Sequence, residues 1–197
     1  MLELKKNSKG IYYLCDYIPY RDFEYRSEEE TSISKAIWDY KDGKADAFYE
    51  MTAHIQNAVW QFGTKINGKK FALVSVPPSK VDKESPIAKS IEILIKTANN
   101  SMLSAGKELV DYSKLLVRDY DIKTSHIEGR VEYDEKLNST KCTRKDLSKE
   151  KITFVVMDDV TTSGDTLKAC AEVLKKHGVP SKSIILFALA NTKSLKI

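Results

Sequence analysis

The chain has 197 residues, of which 42% are hydrophobic and 30% charged, and its formal net charge is +4 at pH 7. This is the composition of a globular soluble protein, and no apolar run is long enough to span a bilayer. Cys15, Cys142 and Cys170 form no CxxC pair, so neither a zinc ribbon nor a disulfide framework is supported. With no secretory signal at the N-terminus, we expect a cytoplasmic protein.

The first third of the chain predicts one strand and two helices. Apolar and polar residues alternate over residues 10–20, which indicates a strand that ends near Pro19. Residues 28–41 have apolar side chains at helical spacing and begin with three glutamates, which suit a helix N-terminus. Residues 45–62 repeat apolar side chains at steps of three and four, so a second helix is expected. We expect residues 1–65 to form a small N-terminal cap, or hood, over the edge of the remaining fold.

Predicted strands and helices alternate from residue 66 to residue 197, which predicts an α/β fold with a parallel twisted sheet flanked by helices. The whole chain, 1–197, is expected to be one domain. Residues 119–148 are polar and poorly periodic, and so long an irregular stretch indicates a functional lid or disorder. The strands are predicted at residues 71–76, 112–117, 152–158 and 183–190, and the helices at 85–98 and 164–177.

The most informative segment is an apolar run, residues 152–157, that ends in two adjacent carboxylates, Asp158 and Asp159. The run is typical of a strand buried on both faces, and open α/β sheets bind ligands at the carboxyl ends of their strands. Ionised carboxylates can accept hydrogen bonds from sugar hydroxyls, and a small loop before a helix suits a phosphate. The pattern therefore fits a ribose 5-phosphate, although a strand, a turn and a capped helix with surface acids remain the alternative. The loop residues are Thr161, Thr162, Ser163, Gly164, Asp165 and Thr166.

Residues 155–166, Val-Val-Met-Asp-Asp-Val-Thr-Thr-Ser-Gly-Asp-Thr, resemble the phosphoribosyl pyrophosphate (PRPP) binding motif of type I phosphoribosyltransferases. The resemblance implies that Asp158 and Asp159 hold the ribose hydroxyls and that residues 161–166 hold the 5-phosphate. It implies a pentosyltransferase that moves the phosphoribosyl group from PRPP to a nitrogenous base and releases pyrophosphate. It also implies Mg²⁺ as the cofactor, held mainly by the ligand and water, with Asp158 and Asp159 contacting it indirectly, through water.

A second segment, residues 75–80, has the sequence Ser-Val-Pro-Pro-Ser-Lys and follows the buried strand predicted at 71–76. Parallel strands end on the same side of a sheet, so this segment should lie beside the Asp158 loop. The resemblance places a pyrophosphate loop here, often with an unusual cis peptide, and assigns Pro78, Ser79 and Lys80 to it. The alternative is an ordinary strand exit in which proline stops the strand.

Residues 122–133 resemble the flexible loop that closes over PRPP in this family. A lid of this kind brings cations to the pyrophosphate and excludes water from the activated sugar. The alternative is a solvated loop without a role. Lys80 and Arg130 are predicted to be the catalytic residues. The lid residues are predicted to be Lys123, Ser125, His126 and Arg130.

The similarity is nearest to the competence protein F-like subgroup and runs through residues 10–190. Two departures stand out. The four-cysteine zinc element common in that subgroup is missing, since Cys15 alone cannot replace it. Thr162 occupies the loop position at which purine-salvage members place a catalytic carboxylate, so a 6-oxopurine acceptor is not supported. Asp165 puts a negative charge beside the phosphate site, where it can favour the helix dipole instead.

Other functions remain open from the sequence. A non-catalytic protein that senses PRPP or a nucleotide, linked to nucleic-acid processes such as DNA uptake, is the first alternative. A structural partner in such a process is the second. A PRPP synthetase is excluded because such enzymes are longer and need an ATP site.

The near-Walker sequence at residues 63–70 lacks the hydroxyl residue for magnesium and precedes a strand, so we interpret it as a turn. A homodimer and a nucleic-acid partner are left open, and no membrane contact is expected.

Overall fold

The computed structural model describes residues 2–65, 69–122 and 133–193. The strands are β1 (Lys5–Lys6), β2 (Tyr12–Tyr17), β3 (Lys70–Ser75), β4 (Glu108–Asp111), β5 (Leu116–Arg118), β6 (Thr140–Cys142), β7 (Thr153–Thr161) and β8 (Ile184–Thr192). The helices are α1 (Glu28–Lys41), α2 (Ala45–Lys65), α3 (Pro86–Ser104), α4 (Tyr133–Asn138) and α5 (Asp165–Lys176), with short 3₁₀-helices at Tyr20–Tyr25 and Ser181–Ser183. The fold is α/β, as predicted.

Six strands form the main sheet in the order β1-β2-β8-β7-β3-β4. Every neighbouring pair is parallel except β1 with β2. β4 pairs with one edge of β3, and β7, which comes later in the chain, pairs with the other edge. β8 then pairs with the far edge of β7. The strand order therefore reverses between β3 and β7. Open α/β sheets bind their ligands at such a switch point, in the crevice outside the carboxyl ends of the strands.

The two central strands are apolar because helices or loops cover both of their faces. Leu73, Val155 and Met157 pack on one face against α1, α2 and α3. Val74 and Val156 pack on the other face, which α5 covers together with residues around β5. The sheet core is thus closed on both sides, and the polar residues that end β3 and β7 project from its carboxyl edge.

The N-terminal region differs from the predicted cap. β2 is a strand of the main sheet, where it lies parallel to β8 from Tyr12 to Tyr17. α2 places Met51 and Ile55 in the same buried cluster as α3. Residues 1–65 therefore contribute a strand and two helices to the core. The alternation of residues 10–20 identified a strand, but a single sequence carries no signal for the strand with which it pairs.

The strand predicted at residues 112–117 is wrong in its bounds. β4 ends at Asp111 and β5 begins only at Leu116. The Asp111 carboxylate accepts a hydrogen bond from the Ser113 N–H at 2.8 Å, and the Leu115 N–H donates to the Tyr112 carbonyl at 3.0 Å. This turn, typical of an aspartate side chain, separates a strand of the main sheet from a strand of the small one.

Part of the polar stretch at residues 119–148 is regular, although most of its described residues are irregular, as predicted. β6 pairs with β5 in an antiparallel two-stranded sheet, and α4 precedes β6. Residues 123–132 lie outside the described residues. Across the ranges that the structure describes, no helix has both the length and the apolar character needed to cross a membrane.

Candidate functional site

The tip of β7 extends beyond its neighbour β3. Pairing between the two strands ends at Ser75 and Met157, where the Val76 N–H donates to the Met157 carbonyl at 2.9 Å. On its other side β7 stays paired with β8 as far as Thr161 and Asn191. The segment from Asp158 to Thr161 therefore has one edge free of strand pairing, and that edge faces the crevice between β3 and β7.

Asp158 and Asp159 project to opposite faces of the sheet, as neighbouring residues of a strand do. Asp159 is on the side of α1, where it pairs with Lys41. Asp158 is on the side of α5, where its charge acts on the Cys170 thiol and the Arg118 guanidinium. If both carboxylates bind one diol, as predicted, the sugar must lie along the free edge of β7.

Asp159 forms an ion pair with Lys41, the last residue of α1, whose Nζ lies 3.4 Å from Asp159 Oδ2. Burial lowers the pKa of Lys41, but the attraction of Asp159 and Asp158 outweighs it, so the pKa lies above its ordinary value. The other oxygen of Asp159 accepts a hydrogen bond from the Val160 N–H at 2.6 Å. Lys41 is a site residue that the sequence did not identify, because it reaches the site only through the packing of α1.

Asp158 has no such ion pair among the described residues. Burial, and then repulsion by Asp159, raise its pKa to about 7, against the opposing attraction of Lys41, the Asp159 N–H and Lys136. The Asp159 N–H donates to Asp158 Oδ1 at 2.9 Å. The two carboxylates of the motif thus have different surroundings: Asp159 is paired with Lys41, whereas the pKa of Asp158 is raised to about 7.

The turn between β7 and α5 requires its glycine. Gly164 has a φ of +81°, in the left-handed region that favours glycine. A Cβ at this position would lie 2.5 Å from Cδ1 of Ile11, so a side chain would also clash with the N-terminal segment. The hydroxyl of Thr162 is hydrogen-bonded to that of Thr192 at 2.8 Å, and Thr161 is buried. The turn is therefore fixed by contacts with β8 and with the segment before β2.

Backbone N–H groups of this turn are available to a ligand. Within the described part of the chain, the N–H groups of Ser163 and Gly164 have no hydrogen-bond partner. Lys9 donates from Nζ to the Thr162 carbonyl at 3.1 Å. A turn with free N–H groups at the start of a helix is a site for an anion. Asp165 and Thr166 lie in the first turn of α5, half-buried, and the negative charge of Asp165 suits that helix end.

The second predicted loop lies at the end of β3. The Ser79 carbonyl accepts from the Ile122 N–H at 2.8 Å, and the Val81 N–H donates to Asp121 at 2.8 Å. In the described chain the N–H groups of Ser79 and Lys80 have no partner, and Lys80 is exposed. All described peptide bonds are trans, which departs from the unusual cis peptide of the family. The loop thus has two backbone donors without a described partner and one exposed cation.

Arg118, at the end of β5, is a second site residue that the sequence did not identify. It is 6% exposed, and its guanidinium donates to the carbonyls of Pro77 and Pro78 at 3.3 and 3.1 Å. It also donates to the Lys136 carbonyl, and to the hydroxyls of Ser139 and Thr140 at 2.7 Å each. No sequence pattern indicates it, because one arginine in a short strand is ordinarily a surface residue.

The predicted lid residues cannot be compared with the structure. Lys123, Ser125, His126 and Arg130 lie outside the described residues.

Two cavities lie away from the crevice. One, of about 330 Å³, is lined by residues of α2 and α3 such as Trp60 and Leu94. The other, of about 350 Å³, is beside Tyr112 and Arg144. The candidate site is thus the edge of the sheet between the two loops, and neither cavity belongs to it.

The protein groups at this site suit a magnesium ion that a ligand brings with it. Among the described residues, no group of three or more His, Cys, Asp or Glu side chains is placed to hold a metal ion. Asp159 is paired with Lys41 at 3.4 Å, and Asp158 is on the other face of β7. Magnesium usually keeps several waters and binds through one or two carboxylates together with substrate phosphates, and this pair of carboxylates fits that mode.

No protein-family model matches the chain, and a comparison with curated proteins finds no match. The resemblance to type I phosphoribosyltransferases therefore depends on residues 155–166 and on the positions that the structure gives them.

Proposed function

We propose that the protein binds PRPP with Mg²⁺ and transfers its phosphoribosyl group to a nitrogenous base, in the manner of a type I phosphoribosyltransferase. One observation carries the proposal. Two loops with free backbone N–H groups follow β3 and β7, the two strands between which the strand order reverses. Asp158 and Asp159 lie at the start of one of them. PRPP has an anion at each end and a diol between, and it matches this arrangement of donors and acceptors.

Each part of PRPP has a proposed partner. The turn after β7 takes the 5-phosphate on the N–H groups of Ser163 and Gly164. The free edge of β7 takes the ribose diol on Asp158 and Asp159. The loop after β3 takes the pyrophosphate on the N–H groups of Ser79 and Lys80 and on the Lys80 ammonium. Arg130, which lies outside the described residues, is proposed to add a further cation to the pyrophosphate.

The proposed reaction is a displacement at ribose C1. The lone pair of a ring nitrogen forms the new C–N bond, and the C1–O bond breaks with its electrons leaving on pyrophosphate. The proton that the ring nitrogen loses goes to the departing pyrophosphate or to solvent water. The transition state has oxocarbenium character, as in glycoside cleavage. The protein contributes chiefly by holding both ends of PRPP, which positions C1 relative to the base. Bound magnesium would supply charge neutralisation to the leaving pyrophosphate.

The proposal is tested by measuring PRPP binding by calorimetry with magnesium, and pyrophosphate release with a panel of nucleobases and other nitrogenous bases. We expect saturable PRPP binding and pyrophosphate release with at least one base. Gly164→Ala should weaken binding in the same assay, since alanine is strained at a φ of +81° and its Cβ would lie 2.5 Å from Cδ1 of Ile11, which would have to move. Absence of PRPP binding by the wild-type protein would refute the proposal.

A second candidate function is a non-catalytic sensor of PRPP or a nucleotide. The observation in its favour is that Thr162 stands where purine-salvage enzymes place a carboxylate, and its hydroxyl is engaged by Thr192 at 2.8 Å. That position therefore has no group free to accept a proton from the base. Tight PRPP binding without pyrophosphate release in the presence of any base of the panel would favour the sensor.

A further inference from the structure

Arg118 is a buried cation without a buried counterion. It is 6% exposed, and no described carboxylate lies in ion-pair contact with it. An arginine keeps its charge when it is buried, and the cost of burying a charge is large unless polar groups compensate it. Here the compensation comes from carbonyl and hydroxyl oxygens, which leave the net positive charge in place.

The contacts of Arg118 join two parts of the structure. On one side its Nε and Nη2 donate to the carbonyls of Pro78 and Pro77. On the other side Nη1 donates to the Lys136 carbonyl and to two hydroxyls around the start of β6. The planar guanidinium therefore holds the loop after β3 against the β5–β6 sheet in a fixed orientation.

This orientation determines where the free N–H groups of the loop point. In a trans peptide the carbonyl and the N–H point in opposite directions. Because the Pro78 carbonyl faces Arg118, the N–H of Ser79, in the same peptide group, points away from Arg118. The Ser79 carbonyl faces the Ile122 N–H in the same way, which turns the Lys80 N–H away from Ile122.

We propose that Arg118 is a positioning residue for an anion at the loop of residues 77–80, by directing the Ser79 N–H outward and by placing a buried positive charge behind the loop. The chemical class of the ligand is a phosphate or diphosphate group. Its identity as the pyrophosphate of PRPP rests on the proposed function, whereas the role of Arg118 in anion binding does not. Arg118 itself need not contact the anion, because its donors are directed to protein oxygens.

A purely structural role is the rival explanation, and ligand selectivity separates the two. Inorganic pyrophosphate is the probe for the loop after β3, and ribose 5-phosphate is the probe for the turn after β7. In Arg118→Gln we expect pyrophosphate affinity to fall at least about tenfold, the loss typical of a hydrogen bond to a charged group, while ribose 5-phosphate affinity changes less than about twofold. Arg144→Gln is the matched control, because it removes the same charge from an exposed pair with Glu150.

A second pair of variants keeps the test decisive if Arg118→Gln does not fold. Ser79→Pro removes the N–H that Arg118 is inferred to direct, and Ser79→Ala keeps that N–H while it removes the hydroxyl. We expect Ser79→Pro to lose pyrophosphate affinity selectively and Ser79→Ala to keep it. Equal losses for both probes in Arg118→Gln, or unchanged pyrophosphate affinity in a folded Ser79→Pro, would overturn the inference. If the wild-type protein binds pyrophosphate but not ribose 5-phosphate or PRPP, the proposed function fails while the loop inference stands.

Discussion

The two sides of the β7 tip carry the same chemical group in different surroundings. On the α1 side, Asp159 is paired with Lys41 at 3.4 Å. On the α5 side, Asp158 has a pKa raised to about 7 by burial and by its neighbour. Adjacent side chains of a strand can thus have different electrostatic surroundings, because each one contacts a different layer of the fold.

Removal of either carboxylate should have the largest effect, and it should appear in PRPP binding. Asp158→Ala and Asp159→Ala each remove an acceptor for a sugar hydroxyl, with an expected loss of about 1.5–3 kcal/mol of binding free energy. Calorimetry with PRPP and magnesium measures it. Asp16→Ala is the control, because this aspartate is 40% exposed at the side chain and lies on β2. Unchanged affinity in both variants would contradict the assignment of the diol to this pair.

The same two positions should affect stability in opposite directions when asparagine replaces aspartate. Asp159→Asn leaves the Lys41 ammonium without its partner and should lower the free energy of unfolding by about 1 kcal/mol at about pH 5, where Asp158 is protonated and the two carboxylates do not repel each other. Asp158→Asn removes a half-buried, repelled charge and should raise the free energy of unfolding by about 1–3 kcal/mol at a pH above 7. Urea unfolding of Asp159→Asn at about pH 5, and of Asp158→Asn above neutral pH, measures the two effects against the wild-type protein. A loss of stability in both would show that Asp158 is not repelled in the folded state.

The fold was predictable from the sequence where a periodic pattern determines an element. α1, α5 and β7 lie within a few residues of their predicted positions, because apolar spacing identifies them. The length of β7 was not predictable. The predicted strand ended at Asp158, whereas pairing of Thr161 with Asn191 continues it, and this extension sends the two carboxylates to opposite faces.

The site was predictable only where its residues are close together in the chain. Residues 158–166 form a strand tip and a turn, as their sequence indicated. Lys41 and Arg118 are distant in sequence from the groups they contact, so a single sequence has no local pattern that connects them. In both cases the cation belongs to a distant helix or strand. The sequence pattern of that element predicts its secondary structure and its buried face, but not which residues its cation contacts.

The titration of Asp158 gives the stability of the protein a pH dependence with a defined sign. Its pKa is about 7 in the folded protein and about 4 in the unfolded chain. Between these values the folded state binds more protons, so stability should fall as the pH rises from about 4 to about 7, by at most about 1.4 kcal/mol per pH unit. Asp158→Asn should lack this contribution to the pH dependence of stability. Subtracting its stability curve from that of the wild-type protein therefore removes the contributions of the other titrating groups. Parallel stability curves for the two proteins would contradict a raised pKa.

The smallest expected effect comes from Lys41, which is the link between the two sides of the tip. Lys41→Met removes a charge that lowers the pKa of Asp158, so that pKa should rise further. We expect a rise of less than about one pH unit, which corresponds to about 1.4 kcal/mol, measured as an upward shift in the pH range over which stability falls. Lys44→Met is the matched control, because Lys44 is 64% exposed at the side chain and pairs with Asp39 at 2.6 Å. No shift in Lys41→Met, or an equal shift in both variants, would show that the protonation of Asp158 is independent of the ion pair on the opposite face. A downward shift would contradict the attraction of Lys41 for Asp158.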